Sequence, residues 1–292
     1  MEVKEGYMPF MGYSTYYRII GECKNGTKPL ICLHGGPGGT HDAFEIFDSL
    51  AKDRMIISYD QIGGGKSYIE GHEELFNADT WKKELMALKE YLGIHECHIL
   101  GQSWGGMLAI IYISDEHPED VKSCILSSTL SSSKLWSDEL HNEIDHFEEE
   151  VKQAIYEAEQ KNDYTSENYL KANARIMSIF SSASQKDNAP EFLKRKRVFG
   201  ALAYNTAWGP NEYTPLGNLK DYDYTEKLDN WTIPALVVSG TNDLCRPLVA
   251  KTMADHIPNA KWELMAKCRH SCYLDDSQKY LKMLEEWLYE HD

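Results

Sequence analysis

The hexapeptide Gly101-Gln102-Ser103-Trp104-Gly105-Gly106 constrains this chain more than any other stretch. It fits the pattern Gly-x-Ser-x-Gly. The residues before it, 97–100, are apolar enough to form a buried strand, and residues 107–114 read as a buried helix. A strand, a tight turn and a helix are the context in which this pattern holds a serine in a strained backbone conformation, hydroxyl aimed out of the sheet. Glycines on either side remove the Cβ atoms that would clash there.

The rest of the chain reads as a frame for that turn. Residues 3–20 alternate apolar and polar and predict an antiparallel hairpin. Residues 29–33 predict a buried strand that runs into the glycine-rich loop His34-Gly35-Gly36-Pro37-Gly38-Gly39, whose backbone N–H groups can approach a ligand closely. A helix is expected over 43–51 and a strand over 54–59. The stretch Asp60 to Ser67 superficially resembles a phosphate loop, but Asp60 stands where the first required glycine belongs, so nucleotide binding is rejected. Asp79 is expected to cap a helix reaching Leu92, with Trp81, Leu85, Leu88 and Leu92 on one face. Residues 121–126 are the next strand. Strands alternating with helices imply a mostly parallel sheet covered on both faces.

The pattern then changes. Residues 131–204 carry helical periodicity without a convincing strand, in runs 138–160, 166–180 and 190–203. The first run places Ile144, Phe147, Val151, Ile155 and Ala158 at helical spacing, which is a packing stripe, and Glu148-Glu149-Glu150 forms a solvated face. Sheet character returns at 234–240. A helix over 247–256, a short strand at 262–265 and an amphipathic helix over 276–289 follow. The expected organisation is an α/β core in two parts, 1–130 and 216–292, interrupted by a helical cap over 131–215.

The charge balance narrows the partners. A net charge of −16 argues against nucleic acid or an anionic membrane and suits a substrate carrying a positive group. The N-terminus has no signal-peptide pattern, and the longest strongly apolar run, 107–113, is far too short to span a bilayer. The seven cysteines are odd in number and include no Cys-x-x-Cys pair. They read as reduced thiols of a cytoplasmic protein, not a disulfide frame or zinc site. No metal and no cofactor is expected.

A serine hydroxyl is a poor nucleophile near neutral pH and needs a base that is itself oriented by a carboxylate. Asp243 follows the strand at 234–240, and His270 follows the last strand. Both therefore join Ser103 at the ends of core strands, where open α/β sheets bind ligands. The chain order Ser, Asp, His is the order expected on such a sheet. The N–H groups of Trp104 and Gly36 are the candidates for stabilising an oxyanion. His34 is a rival base, set aside because it sits beside the oxyanion loop.

With these residues in hand, the chain resembles the proline iminopeptidase family of α/β-hydrolases over essentially its whole length. The resemblance rests on residues 34–39, on Tyr59-Asp60-Gln61 with Gly63, Gly65 and Ser67, on residues 101–106, on Gly240 with Asp243, and on His270. It implies an α/β-hydrolase fold with an inserted helical cap. It also implies release of an N-terminal residue, commonly proline, from short peptides, amides or arylamides with a free N-terminus, without a metal. In that family acidic residues near the cap hold the substrate's α-ammonium, and the match of Trp208-Gly209-Pro210-Asn211-Glu212-Tyr213 nominates Glu212, with Gly35 and Trp208 as further substrate-binding candidates. There is one departure. Relatives often carry a second acid immediately after the triad aspartate, and this chain has Leu244. That leaves open a wider range, including amino-acid amides and esters. The alternatives are a carboxylesterase or lactonase on the same triad, and a non-catalytic ligand-binding protein.

Overall fold

Alternation at the N-terminus produces the hairpin it predicts: β1 (Val3–Phe10) pairs antiparallel with β2 (Tyr13–Ile20). The structure, a computed structural model, describes residues 1–181 and 189–292. Residues 182–188, within the stretch 131–215 expected to form the cap, lie outside the described residues. Beyond the hairpin come β3 (Leu30–Leu33), β4 (Ile56–Tyr59), β5 (Cys97–Gln102), β6 (Val121–Ser127), β7 (Ala235–Gly240) and β8 (Ala260–Met265). They form one sheet in the order β1-β2-β4-β3-β5-β6-β7-β8, in which β2 is antiparallel to β4 and all later pairings are parallel.

The core is double because the sheet is covered on both faces. Along β3, Ile31 and Leu33 join one buried cluster, while Leu30 and Cys32 join the other. This is the two-residue period of a strand buried on both sides. The helix Trp104–Glu116 packs in the first cluster and is buried from Trp104 through Ser114. The second cluster holds Phe44, Phe47, Tyr280 and Leu284. Among the described residues no helix is long and apolar enough to cross a membrane.

Two local expectations are corrected in the first half of the chain. The segment expected as a helix over 43–51 is wound as a 3₁₀ helix, His41–Leu50. His41, Phe44, Phe47 and Leu50 are all buried, and a spacing of three stacks them on one face only at three residues per turn. The helix Ala78–Tyr91 is capped not by Asp79 but by Asn77, whose side chain accepts from the Thr80 N–H at 3.0 Å. Asp79 instead pairs with Lys83 one turn on.

The region between β6 and β7 is helical, as expected, but divided differently. The run 138–160 is two helices, Ser133–Ile144 and Glu149–Lys161. They are separated by tight turns in which His146 N–H donates to Glu143 and Phe147 N–H to Ile144. Phe147 leaves the stripe to meet Phe180 edge-on, with ring centres 6.1 Å apart. The run 166–180 is the helix Glu167–Phe180. The run 190–203 holds only two short helical pieces, Glu191–Lys194 and Ala201–Ala207. Between them the chain crosses two glycine loops: Gly65 N–H donates to Val198, and Gly200 N–H donates to Gly38 at 2.8 Å. A Cβ on Gly200 would lie 2.0 Å from the Gly63 carbonyl oxygen, and one on Gly38 would lie 2.4 Å from that of Gly200. This backbone-on-backbone contact overrides local helix propensity.

Candidate active site

The turn after β5 carries the first group. Ser103 has φ 55° and ψ −122°, a strained conformation for a residue with a side chain. It is held from both sides, as its N–H donates to the Ser127 carbonyl at 3.0 Å and the Thr129 hydroxyl donates to its carbonyl at 2.6 Å. A Cβ on Gly105 would lie 2.0 Å from the Leu33 carbonyl oxygen, so the turn tolerates only glycine there. Among the described residues the Ser103 hydroxyl has no hydrogen-bond partner. Hydrogen bonds to such hydroxyls are often long in unliganded enzymes and tighten with substrate.

The loops after β7 and β8 bring Asp243 and His270 together. His270 Nδ1–H donates to Asp243 Oδ1 at 2.7 Å. Asp243 is fully buried and receives three more bonds: from Cys245 N–H at 2.9 Å, the Ser128 hydroxyl at 2.6 Å and Gly240 N–H at 3.1 Å. Burial works against a charge on His270, but the Asp243 carboxylate, its hydrogen bond and the Glu212 charge outweigh it and raise the pKa. The ring is steadied by the Trp136 edge at 5.8 Å, and its backbone N–H is tied to Phe180 at 3.0 Å.

The loop after β3 faces Ser103. A Cβ on Gly35 would lie 3.0 Å from the Ser103 Cβ, and Gly36 has φ 120°, a left-handed value suited to glycine. The Gly36 N–H makes no hydrogen bond among the described residues. Trp104 opens its helix, so its N–H has no acceptor one turn back. His34 is not free to act as a base. Its Nδ1–H donates to the Gly35 carbonyl at 2.8 Å, its Nε2 accepts from Gln61 N–H at 2.9 Å, and burial lowers its pKa. Gln61 braces the two sides of the site, since its amide donates to the His34 carbonyl at 3.1 Å and its oxygen accepts from the Trp104 indole at 2.6 Å.

A cavity of about 580 Å³ joins these groups; Gly35, Gly36, Ser103, His270 and Glu212 all line it. The Glu212 carboxylate accepts from the Tyr204 hydroxyl at 2.8 Å. Surrounding protein raises its pKa, against the opposing pull of His270 and the Tyr204 bond. Its loop is fixed by Asn211, which accepts from Tyr213 N–H and Thr214 N–H, and by the Trp136 indole donating to the Glu212 carbonyl. Trp208 is a correction. It does not line the cavity but stands behind it, 4% exposed, with its indole donating to the Asn211 carbonyl and its ring edge-on to Trp136. Leu244 is buried in the core and adds no charge to the cavity.

Sequence reasoning missed Ser128, Gln61, Tyr204 and Trp136. Only Gln61 carried a signal, as part of the segment after β4. Among the described residues, one group could offer a metal three ligand atoms: His41, Asp42 and Glu45. Its carboxylates already face Arg18, Arg195 and Arg197, and His41 Nδ1 is bound to Asp60, so a further cation would meet repulsion.

β3 and β5 are neighbours, while the strands that follow them, β4 and β6, lie on opposite sides. The glycine loop and the Ser103 turn thus sit at the topological switch point, the ligand crevice of open α/β sheets. This class is also found by comparison: the family described as the alpha/beta hydrolase fold matches residues 28–277. The chain is 53% identical to the proline iminopeptidase of Lactobacillus crispatus (strain ST1) and 49% identical to that of Clostridioides difficile (strain 630), in each case over 100% of both chains. The crystal structure of proline iminopeptidase from Mycobacterium smegmatis superposes with a TM-score of 0.86 at 26% identity, covering 99% of this chain and 98% of that one. The chain belongs to the proline iminopeptidase family of α/β-hydrolases and is an enzyme.

Proposed function

We propose that this enzyme is a serine aminopeptidase that releases the N-terminal residue, proline or another small or hydrophobic one, from short peptides, amides or arylamides. The single observation that carries the reading is Glu212. It is a half-buried carboxylate on the wall of the cavity that also holds Ser103 and His270, in a position to pair with the free α-ammonium of a substrate. With Leu244 apolar and buried, amine recognition falls to Glu212. The described part of the segment 131–215 serves as a cap over the cavity, to whose wall it gives Asn173, Met177, Tyr204 and Glu212. The free thiols suit a reducing, cytoplasmic setting.

The reaction follows from the geometry. Ser103 Oγ attacks the carbonyl of the N-terminal residue, and its proton passes to His270 Nε2. Asp243 holds the ring through Nδ1–H and stabilises the imidazolium. The N–H groups of Gly36 and Trp104 bind the oxyanion. Collapse breaks the C–N bond, and His270 returns the proton to the leaving amine. Water then attacks the acyl-enzyme while His270 takes its proton; the bond between the acyl carbon and Ser103 Oγ breaks, His270 returns the proton to that oxygen, and the free amino acid departs.

Glu212→Gln tests the reading, because it keeps the shape and removes the charge. An ammonium left in the cavity without its charged partner costs roughly 2–5 kcal/mol. The ratio of kcat/KM on a free aminoacyl arylamide to that on a small neutral ester is therefore expected to fall by roughly 10-fold or more. Equal losses on both substrates, or a wild-type enzyme equally fast on N-blocked arylamides, would refute the amine site and favour an esterase.

The same variant should move a pH profile. His270 must be neutral to accept a proton, so the rate falls as pH drops through its raised pKa. Removing the Glu212 charge removes one of the influences that raise it. The acid limb of kcat/KM on the neutral ester is expected to move to lower pH in Glu212→Gln. An unmoved limb would mean that the two groups are not electrostatically coupled.

A further inference from the structure

The cavity wall carries a second charged anchor on the side formed by residues 193–199. Leu193, Arg197 and Phe199 line the same cavity as Ser103, His270 and Glu212, and among its described lining residues Arg197 is the one arginine or lysine. It ends the run Lys194-Arg195-Lys196-Arg197, in a chain whose net charge is −16. The two arginines of the run are used differently. Arg195 is consumed within the protein: it forms paired bonds with Glu191 and with Glu45, and Asp42 is 3.4 Å away. Arg197 gives one Nη2–H to the Phe192 carbonyl at 2.9 Å, and its Nε makes a long ion pair with Asp42 at 3.7 Å. Its Nη1 has no partner among the described residues, and 30% of the side chain is exposed. A guanidinium donates through five N–H groups in a planar fork that matches a carboxylate. The Nη1 side of that fork is uncommitted among the described residues, and Arg197 is part of the cavity wall.

We propose that Arg197 binds the C-terminal carboxylate of a di- or tripeptide substrate. This rests on the aminopeptidase reading above and names its substrate class: a short peptide held by its ammonium at Glu212 and by its carboxylate at Arg197, with the scissile carbonyl at Ser103 between them. The volume fits, since about 580 Å³ lies within the range of roughly 300–1,000 Å³ typical of small-ligand sites. The electrostatics fit as well. A strongly acidic protein repels a peptide's carboxylate at long range, and a cation at the cavity offsets this where the carboxylate arrives. Leu193, Phe199 and Met177 line the same cavity and give its wall an apolar character beside the two charged groups.

The test compares one N-terminal residue in three forms: a tripeptide ending in two glycines as the free acid, the same peptide as its C-terminal amide, and the arylamide. Charge-assisted pairing at a partly exposed site predicts a wild-type kcat/KM about tenfold higher for the acid than for the amide. In Arg197→Gln that acid-to-amide ratio is expected to collapse to about one, and Arg197→Lys, which keeps the charge without the fork, should retain part of it. The wild-type preference should also shrink as salt is raised. A wild-type enzyme that cleaves acid and amide equally would overturn the subsite and leave the aminopeptidase reading standing. So would an Arg197→Gln variant slowed in equal proportion on all three substrates. An enzyme inert on all three yet active on a neutral ester would overturn the aminopeptidase reading, and the subsite with it.

Discussion

Ser103→Ala is expected to fold as the parent does and to lose kcat/KM on an aminoacyl arylamide by at least roughly 10³-fold. Both halves have physical reasons. The hydroxyl makes no hydrogen bond among the described residues, so its removal leaves no buried partner unsatisfied. The strained backbone at φ 55° is borne equally by serine and alanine. The thermal midpoint should therefore stay close to that of the parent. Activity falls because the attacking oxygen is gone, and only the Gly36 and Trp104 amides and substrate binding remain to favour the reaction. A serine-directed organophosphate should label the parent and not the variant. Retention of most activity in the purified variant, with a contaminating host enzyme excluded, would rule out the mechanism.

Asp243→Asn is expected to lower kcat by roughly 10³- to 10⁴-fold while also weakening the fold. The four donors around this carboxylate are the reason: His270 and Cys245 point at Oδ1, Ser128 and Gly240 at Oδ2. An asparagine must turn its NH₂ toward one pair. Facing Ser128 and Gly240, it leaves the Gly240 N–H buried without an acceptor, although the Ser128 hydroxyl can rotate. Facing His270, it meets Nδ1–H with another donor and drives the ring to the tautomer whose Nε2 carries the proton and cannot accept one from Ser103. An orphaned buried donor costs about 1–3 kcal/mol, so the variant should unfold at lower temperature, unlike Ser103→Ala. Loss of the Asp243 charge should also let the His270 pKa fall, moving the acid limb of the remaining activity to lower pH. A variant with near-parental kcat would show that this carboxylate does not orient the base.

The strands were legible because their signal is local. Each of β3 to β7 is buried along nearly its whole length, and such strands read as short apolar runs between polar loops. Ser103 and Asp243 could be nominated without coordinates because each follows such a run, and His270 because it follows the last strand, the half-exposed β8. A parallel sheet gathers all those ends on one edge. The split between Ser133–Ile144 and Glu149–Lys161 was hidden for the opposite reason. Ile144, Phe147, Val151, Ile155 and Ala158 keep helical spacing across the break, so periodicity cannot register it.

By itself the sequence determined the sheet, the strained serine turn and the chain positions of the candidate triad. It did so through glycine placement and apolar periods, which act over a few residues. The tertiary structure alone decided what these groups touch. It set Trp208 behind the cavity, with Trp136 against the Glu212 carbonyl. It brought Ser128 to Asp243 across 115 positions of chain and Gln61 to Trp104 across 43. It also drew residues 195–200 out of helix over the glycine loops and left Arg197 at the cavity. Side chains so distant in sequence meet only because both faces of the sheet are packed, and that packing is a property of the whole chain which no local pattern encodes.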